Sequence, residues 1–181
     1  MTEKKVSGFD KYKNLVLLVA VLWVILFISF LLPINRFGIM PRTLFGLTGI
    51  FTSPFLHDGI IHLAANSTGI LILGFLFINL ENKNFLIIAI LLVLLSGFGT
   101  WLIGRSGYIH IGASGVIYGL IGYLVSAGIF KRNVKSIVIS LIVFFLYGGA
   151  IIGIFPSDAY ISWESHLSGL LSGIILAGKF K

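Results

Sequence analysis

The sequence predicts an all-α membrane protein built as a six-transmembrane-helix bundle, and three observations carry that prediction. Of the 181 residues, 57% are hydrophobic and 10% charged, with a mean hydropathy of +1.07; a water-soluble domain cannot carry that much apolar surface. Six apolar segments approach the ~20 residues that a helix needs to cross a hydrocarbon core about 30 Å thick. The basic residues, finally, divide unequally between the loops on the two sides.

The six spans are expected at 14–32, 61–80, 85–104, 112–130, 135–155 and 161–178. This organisation reads as a cytoplasmic tail over 1–13, a membrane domain over 14–178 with a long first loop at 33–60, and a short tail at 179–181. Lys4, Lys5, Lys11 and Lys13 ahead of the first span imitate a signal peptide. The span is too long for one, and "FLLPINRFG" offers no small-residue cleavage site, so it is expected to be retained.

With an even number of spans, both termini share one side with the loops near 81–84 and 131–135. That side collects Lys4, Lys5, Lys11, Lys13, Lys83, Lys131, Arg132, Lys135, Lys179 and Lys181, and the other collects Arg36, Arg42 and Arg105. The positive-inside rule then makes both termini cytoplasmic, as in a bacterial-type inner membrane. The net charge of +7 is thereby explained without a nucleic-acid partner. The absence of cysteine excludes disulfides, thiolate metal sites and a cysteine nucleophile.

All four histidines fall toward the outer side. His57 and His62 open the second span, with Asn66 one turn deeper in "FLHDGIIHLAANSTG". Ser114 opens the fourth span in "IHIGASGVIYGL", and His166 the sixth in "SWESHLSGLLSG". Polar groups within a span are costly and usually face protein or a water-filled cavity. An isolated Ser or Asn is commonly explained by interhelical hydrogen bonding worth roughly 1 kcal/mol. Ser114, His166, His62 and Asn66 at one depth on three helices need a further account.

Glycine spacing gives two of these helices a way to meet. Gly169 and Gly173 follow His166 at i+3 and i+7, and Gly115, Gly119 and Gly122 line a comparable groove beside Ser114, just after Gly112. Small residues at this spacing let helix backbones approach closely. A hydroxyl and an imidazole at the outer ends are the pair needed for a base-activated nucleophile. The span interiors hold no Asp or Glu, since Asp58, Glu81, Asp158 and Glu164 sit in loops or at span edges, which predicts a Ser-His dyad without an acid. Tyr118, one turn below Ser114, is placed to stack on the imidazole. The Ser114 N–H, His62 and Asn66 are candidate oxyanion donors, with His57 as further polar support.

Competing chemistries lack their residues. There is no H-E-x-x-H for an intramembrane zinc protease, no pair of acids within spans for an aspartyl protease, and "GASGV" is not a G-x-S-x-G elbow. No metal or cofactor is expected. A small transporter or channel binding a polar solute at the same cluster remains the alternative, weakened by the lack of internal repeats and of charge deep within a span.

"GASGVIYGL", with "HLSGLLSG" two helices later and "HDGIIHLAANS" two helices earlier, strongly resembles the rhomboid intramembrane serine proteases over residues 14–178. The resemblance implies Ser114 as nucleophile and His166 as general base, with His62 and Asn66 lining an oxyanion hole. It further implies Tyr118 packed on His166, a 33–60 loop lying partly in the outer leaflet, and transmembrane proteins as substrates. The loop departs from the family in containing no tryptophan beside its arginines, and Ser53 stands where some members carry a histidine.

Overall fold

The computed structural model describes residues 8–81, 84–156 and 161–181, with side chains from Tyr12 onward. Lys4, Lys5, Lys83 and Asp158 lie outside the described residues, as does the Lys11 side chain. The described residues hold seven α-helices in order: α1 (Gly8–Ser29), the short α2 (Gly49–Thr52), α3 (Ile60–Leu80), α4 (Phe85–Ile103), α5 (Ser114–Lys131), α6 (Val134–Tyr147) and α7 (Trp163–Lys179). The chain is an all-helical integral membrane protein. Among the described residues, five helical stretches are long and apolar enough to cross a bilayer: Tyr12–Ser29, Ile60–Leu80, Phe85–Ile103, Ser114–Lys131 and Val134–Ile154. The sequence predicts six; α7 falls short of those five stretches at 17 residues, and Glu164, Ser165, His166 and Ser168 make its first two turns polar.

Boundaries follow local chemistry. α6 stops at Tyr147, before the expected end at 155, and a 3-10 helix continues over Gly148–Ile154. Gly148 and Gly149 are poor α-formers, and the tighter 3-10 turn takes over where they fall. Asn133 caps α6 by accepting the Ser136 N–H at 2.9 Å, the usual way of satisfying an orphan helix donor.

α5 is the centre of the bundle. Tyr123, Leu124 and Ala127 on it are fully buried, with Leu63 and Leu73 of α3 and Leu92 of α4 around them. Lipid is as apolar as leucine, so helix association here depends on close packing more than on a hydrophobic drive. The α5–α7 seam supplies that closeness. A Cβ at Gly169 would overlap the Gly115 carbonyl, and one at Gly173 would overlap the Gly119 carbonyl. One at Gly122 would strike the Leu170 backbone. These two helices are in backbone contact.

The 33–60 loop is folded from 3-10 turns at Ile34–Phe37, Phe45–Leu47 and Ser53–Phe55 around α2. It is tied to the loop before α5 by an antiparallel pair in which Ile39 and His110 exchange N–H···O bonds of 2.9 Å. Ile50 of α2 packs on Gly97 of α4.

Candidate active site

Ser114 is the first residue of α5 and His166 stands in the first turn of α7, both half-buried. Each adjoins the seam: a Cβ on Gly115 would come within 2.5 Å of Ser165 Oγ. The start of α5 has no side-chain cap, so the N–H groups of its first turn and the positive end of its dipole are left open beside Ser114.

His166 is held on two sides. Its ring stacks on Tyr118, centroids 4.0 Å apart and planes 5° from parallel. Its Nδ1–H donates to the Gly153 carbonyl at 2.9 Å; a carbonyl only accepts, so the proton sits on Nδ1 and the Nε2 lone pair is free. Pro156 explains why that carbonyl is available. In the 3-10 helix the Gly153 oxygen would receive the N–H three residues on, and proline has none. Tyr118 Oη donates to the Ala150 carbonyl at 2.7 Å in the same segment. Neither Ser114 Oγ nor His166 Nε2 has a hydrogen-bond partner among the described residues.

The α3 residues converge on the turn before Ser114. Gly112 has φ +112°, a conformation that disfavours side chains, and a Cβ there would meet His62 Cε1 and Nε2 at 2.8 Å and Asn66 Nδ2 at 3.4 Å. Its N–H donates to Ser53 O at 2.9 Å, which fixes the turn against the loop. Asn66 Nδ2–H donates to His57 Nε2 at 2.9 Å, so His57 aims the amide. His57 is fully buried, and desolvation, with the neighbouring His62, pushes its pKa down to about 4. It is neutral and acts as acceptor. His62 Nδ1–H donates to Asp58 Oδ1 at 2.6 Å.

His110, the histidine nearest Ser114 in sequence, is engaged elsewhere: its Nδ1 shares a 2.9 Å hydrogen bond with Ser162 Oγ. Burial lowers its pKa, with Glu164 opposing. Glu164, two residues before His166, is wholly buried. Its Oε1 accepts from Arg105 Nε at 2.8 Å and from the Arg105 backbone N–H at 3.0 Å, while Arg105 Nη2 donates to Ile161 O at 2.7 Å. The α4–α5 loop thus clamps the first turn of α7. The dyad expectation passed over both acids, Asp58 and Glu164; Asp58 had a legible signal in its i, i+4 spacing from His62.

Residues 44–180 match the rhomboid domain. The chain belongs to the rhomboid family. Among its relatives are an uncharacterized protein of Mycobacterium tuberculosis, 40% identical over 148 residues (77% of this chain, 62% of the relative), and one of Mycobacterium leprae, 37% identical over 139 residues (72% and 55%). RHOMBOID-like protein 1 of Arabidopsis thaliana is 30% identical over 138 residues, 72% of this chain and 34% of that protein. The chain therefore spans about three-fifths of the length of the mycobacterial relatives. Within this rhomboid domain a tryptophan does meet an arginine of the first loop, but it comes from α4: Trp101 Nε1–H donates to Thr43 O at 2.9 Å, and Arg42 N–H to Trp101 O at 3.1 Å. Arg42 also reaches Leu102 O at 2.9 Å and Ser106 Oγ.

Proposed function

We propose that this rhomboid-family chain is an intramembrane serine endopeptidase that cleaves transmembrane proteins near the outer membrane face with a Ser114–His166 dyad. The observation that carries the reading is His166. Its Nδ1–H is spent on Gly153 and its ring is stacked on Tyr118, which leaves Nε2 free on a residue that adjoins, through Ser165, the seam beginning beside Ser114. α7 is the sixth span, made short and polar at its outer end by the site it carries. Both termini are cytoplasmic, in a bacterial-type inner membrane, and the partners are the bilayer and transmembrane substrates.

In the mechanism, His166 Nε2 takes the Ser114 hydroxyl proton as Oγ bonds to the scissile carbonyl carbon, and the carbonyl π pair becomes an oxyanion. The first-turn N–H groups of α5, the Asn66 amide and His62 face that charge. Collapse breaks the C–N bond, and His166 gives the proton to the departing amine. Water, deprotonated by His166, then hydrolyses the acyl-enzyme and the proton returns to Ser114. No separate acid is required, because the Gly153 carbonyl sets the tautomer and Tyr118 the ring plane. A spanning helix bonds its own carbonyls, so substrates should carry helix-breaking or small residues at the cut.

Cleavage of a transmembrane reporter and labelling by a fluorophosphonate test this. Ser114→Ala and His166→Ala should each lose at least about 10³-fold of turnover and all labelling, while folded His110→Ala keeps most of both. The opposite histidine pattern would remove the dyad.

A further inference from the structure

Among the described residues, the dyad leaves the outer carboxylate of Asp58 without a role. Asp58 is two-thirds exposed, yet its Oδ1 lies 2.6 Å from His62 Nδ1. The two histidines at this end are handled in opposite ways. His57 accepts the Asn66 N–H on Nε2 and is neutral. His62 lies edge-on to it, centroids 5.0 Å apart at 67°, and gives its Nδ1–H to the carboxylate. The remaining Nε2–Cε1 edge of His62 faces Gly112, two residues before Ser114.

We propose that Asp58 is a positioning residue that holds the His62 ring with Nε2 toward the oxyanion, so that Asp58 and His62 act as one unit. The proposal rests on the Ser114–His166 reading. A ring protonated at Nδ1 alone would offer a lone pair to the oxyanion. To donate from Nε2 it must carry both protons, and Asp58 is the counter-charge adjoining that form. The carboxylate also fixes the ring: without it, rotation about the side-chain torsions would take Nε2 away from the Gly112 turn. A hydrogen bond of this kind earns its effect where charge develops, in the transition state. An exposed i, i+4 ion pair adds little to folding, so Asp58 should be visible in turnover and silent in stability.

The full chain in detergent, with a fluorogenic transmembrane substrate, supplies the test. Asp58→Ala should lower kcat about tenfold with KM within twofold of wild type and an unchanged melting temperature. Asp58→Asn keeps an oxygen to accept Nδ1–H and should regain at least threefold of that loss. In a His62→Ala background, Asp58→Ala should have no further effect. Wild-type kcat in Asp58→Ala, or an equal tenfold loss with and without His62, would overturn the proposal. A second readout is independent of proteolysis: in ¹⁵N-histidine-labelled protein, the His62 Nδ1 proton signal should move or vanish in Asp58→Ala and persist in Asp58→Asn. Its persistence in Asp58→Ala would also refute the pairing. Cleavage surviving Ser114→Ala would instead sink the dyad, while the proton signal still answers for Asp58.

Discussion

The two neighbours of α5 that flank the site are seated in opposite ways. Against α7, α5 is sealed where Gly122, Gly169 and Gly173 leave no room for a Cβ beside the facing backbone. On the α6 side a cavity of about 600 Å³ lies among Tyr118, Gly122, Val143, Phe144, Tyr147 and Ala150. Burial follows the same contrast: most of the α5 span is buried, whereas α6 with its 3-10 extension buries only Ser136, Ile139 and Val143. In a bilayer, apolar area alone does not register one helix on another. The seam sets the relation of Ser114 to His166 through backbone contact that cannot slide. The loosely seated side contributes two carbonyl oxygens, Ala150 and Gly153, which orient Tyr118 and His166.

The contrast is broken most directly at the seam. Gly169→Ala drives a methyl into the Gly115 carbonyl, with no flexible side chain to yield. A displacement of about 1 Å at reacting groups costs roughly 10²-fold, so turnover of folded Gly169→Ala should fall by about that factor. Phe145→Ala, at the mouth of the α6-side cavity and 80% exposed, should change it less than about threefold. Equal losses in the two variants, measured as kcat on the same substrate, would erase the distinction.

Acid should act on the outer polar layer while sparing the glycine-to-backbone contacts of the seam, Gly169 on Gly115 and Gly173 on Gly119, which involve no titratable group. His57, with its pKa near 4, and His110, lowered by burial, bind protons more readily unfolded than folded. The stabilisation from His57 is complete above about pH 6.5 and is lost as pH falls from 6.5 toward 4, and His110 acts in the same direction. For His57 the loss approaches about 3 kcal/mol. Unfolding midpoints in detergent at pH 7 and pH 4.5 should show the decline, and His57→Gln, which keeps an acceptor for Asn66 but does not titrate, should flatten it.

A smaller effect sharpens the role of the loose side. Tyr118→Phe keeps the ring stacked on His166 and deletes the bond to Ala150, worth about 1 kcal/mol. Turnover should fall about fivefold with KM unchanged; a loss as large as that of Gly169→Ala would mean that the 3-10 segment, not the seam, sets the register.

Much of this was legible in the chain itself. The hydropathy marked the helices, because burial in lipid imposes a long apolar run that local sequence cannot hide. Gly115, Gly119, Gly169 and Gly173 declared a close crossing by spacing, and Ser114, His62, Asn66 and His166 stood out as polar residues at one depth. The sixth span was less legible: α7 reads as 17 residues with a polar outer end, and the 3-10 turn at Gly148 cut α6 short.

What the sequence determined alone was therefore the class of the protein, the positions of its helices and the faces able to meet. Which distant groups pair was decided by tertiary structure. The Gly153 carbonyl accepts the His166 Nδ1–H, since Pro156 has no N–H to offer it locally. Asn66 is aimed by His57, Arg105 reaches Glu164 across 59 residues of chain, and Trp101 comes from α4 to the arginine of the first loop. Periodicity reports which side of a helix is apolar, since that depends on neighbours within a few turns. A hydrogen bond between separate segments depends on where whole helices lie to within an ångström, and no local pattern encodes that.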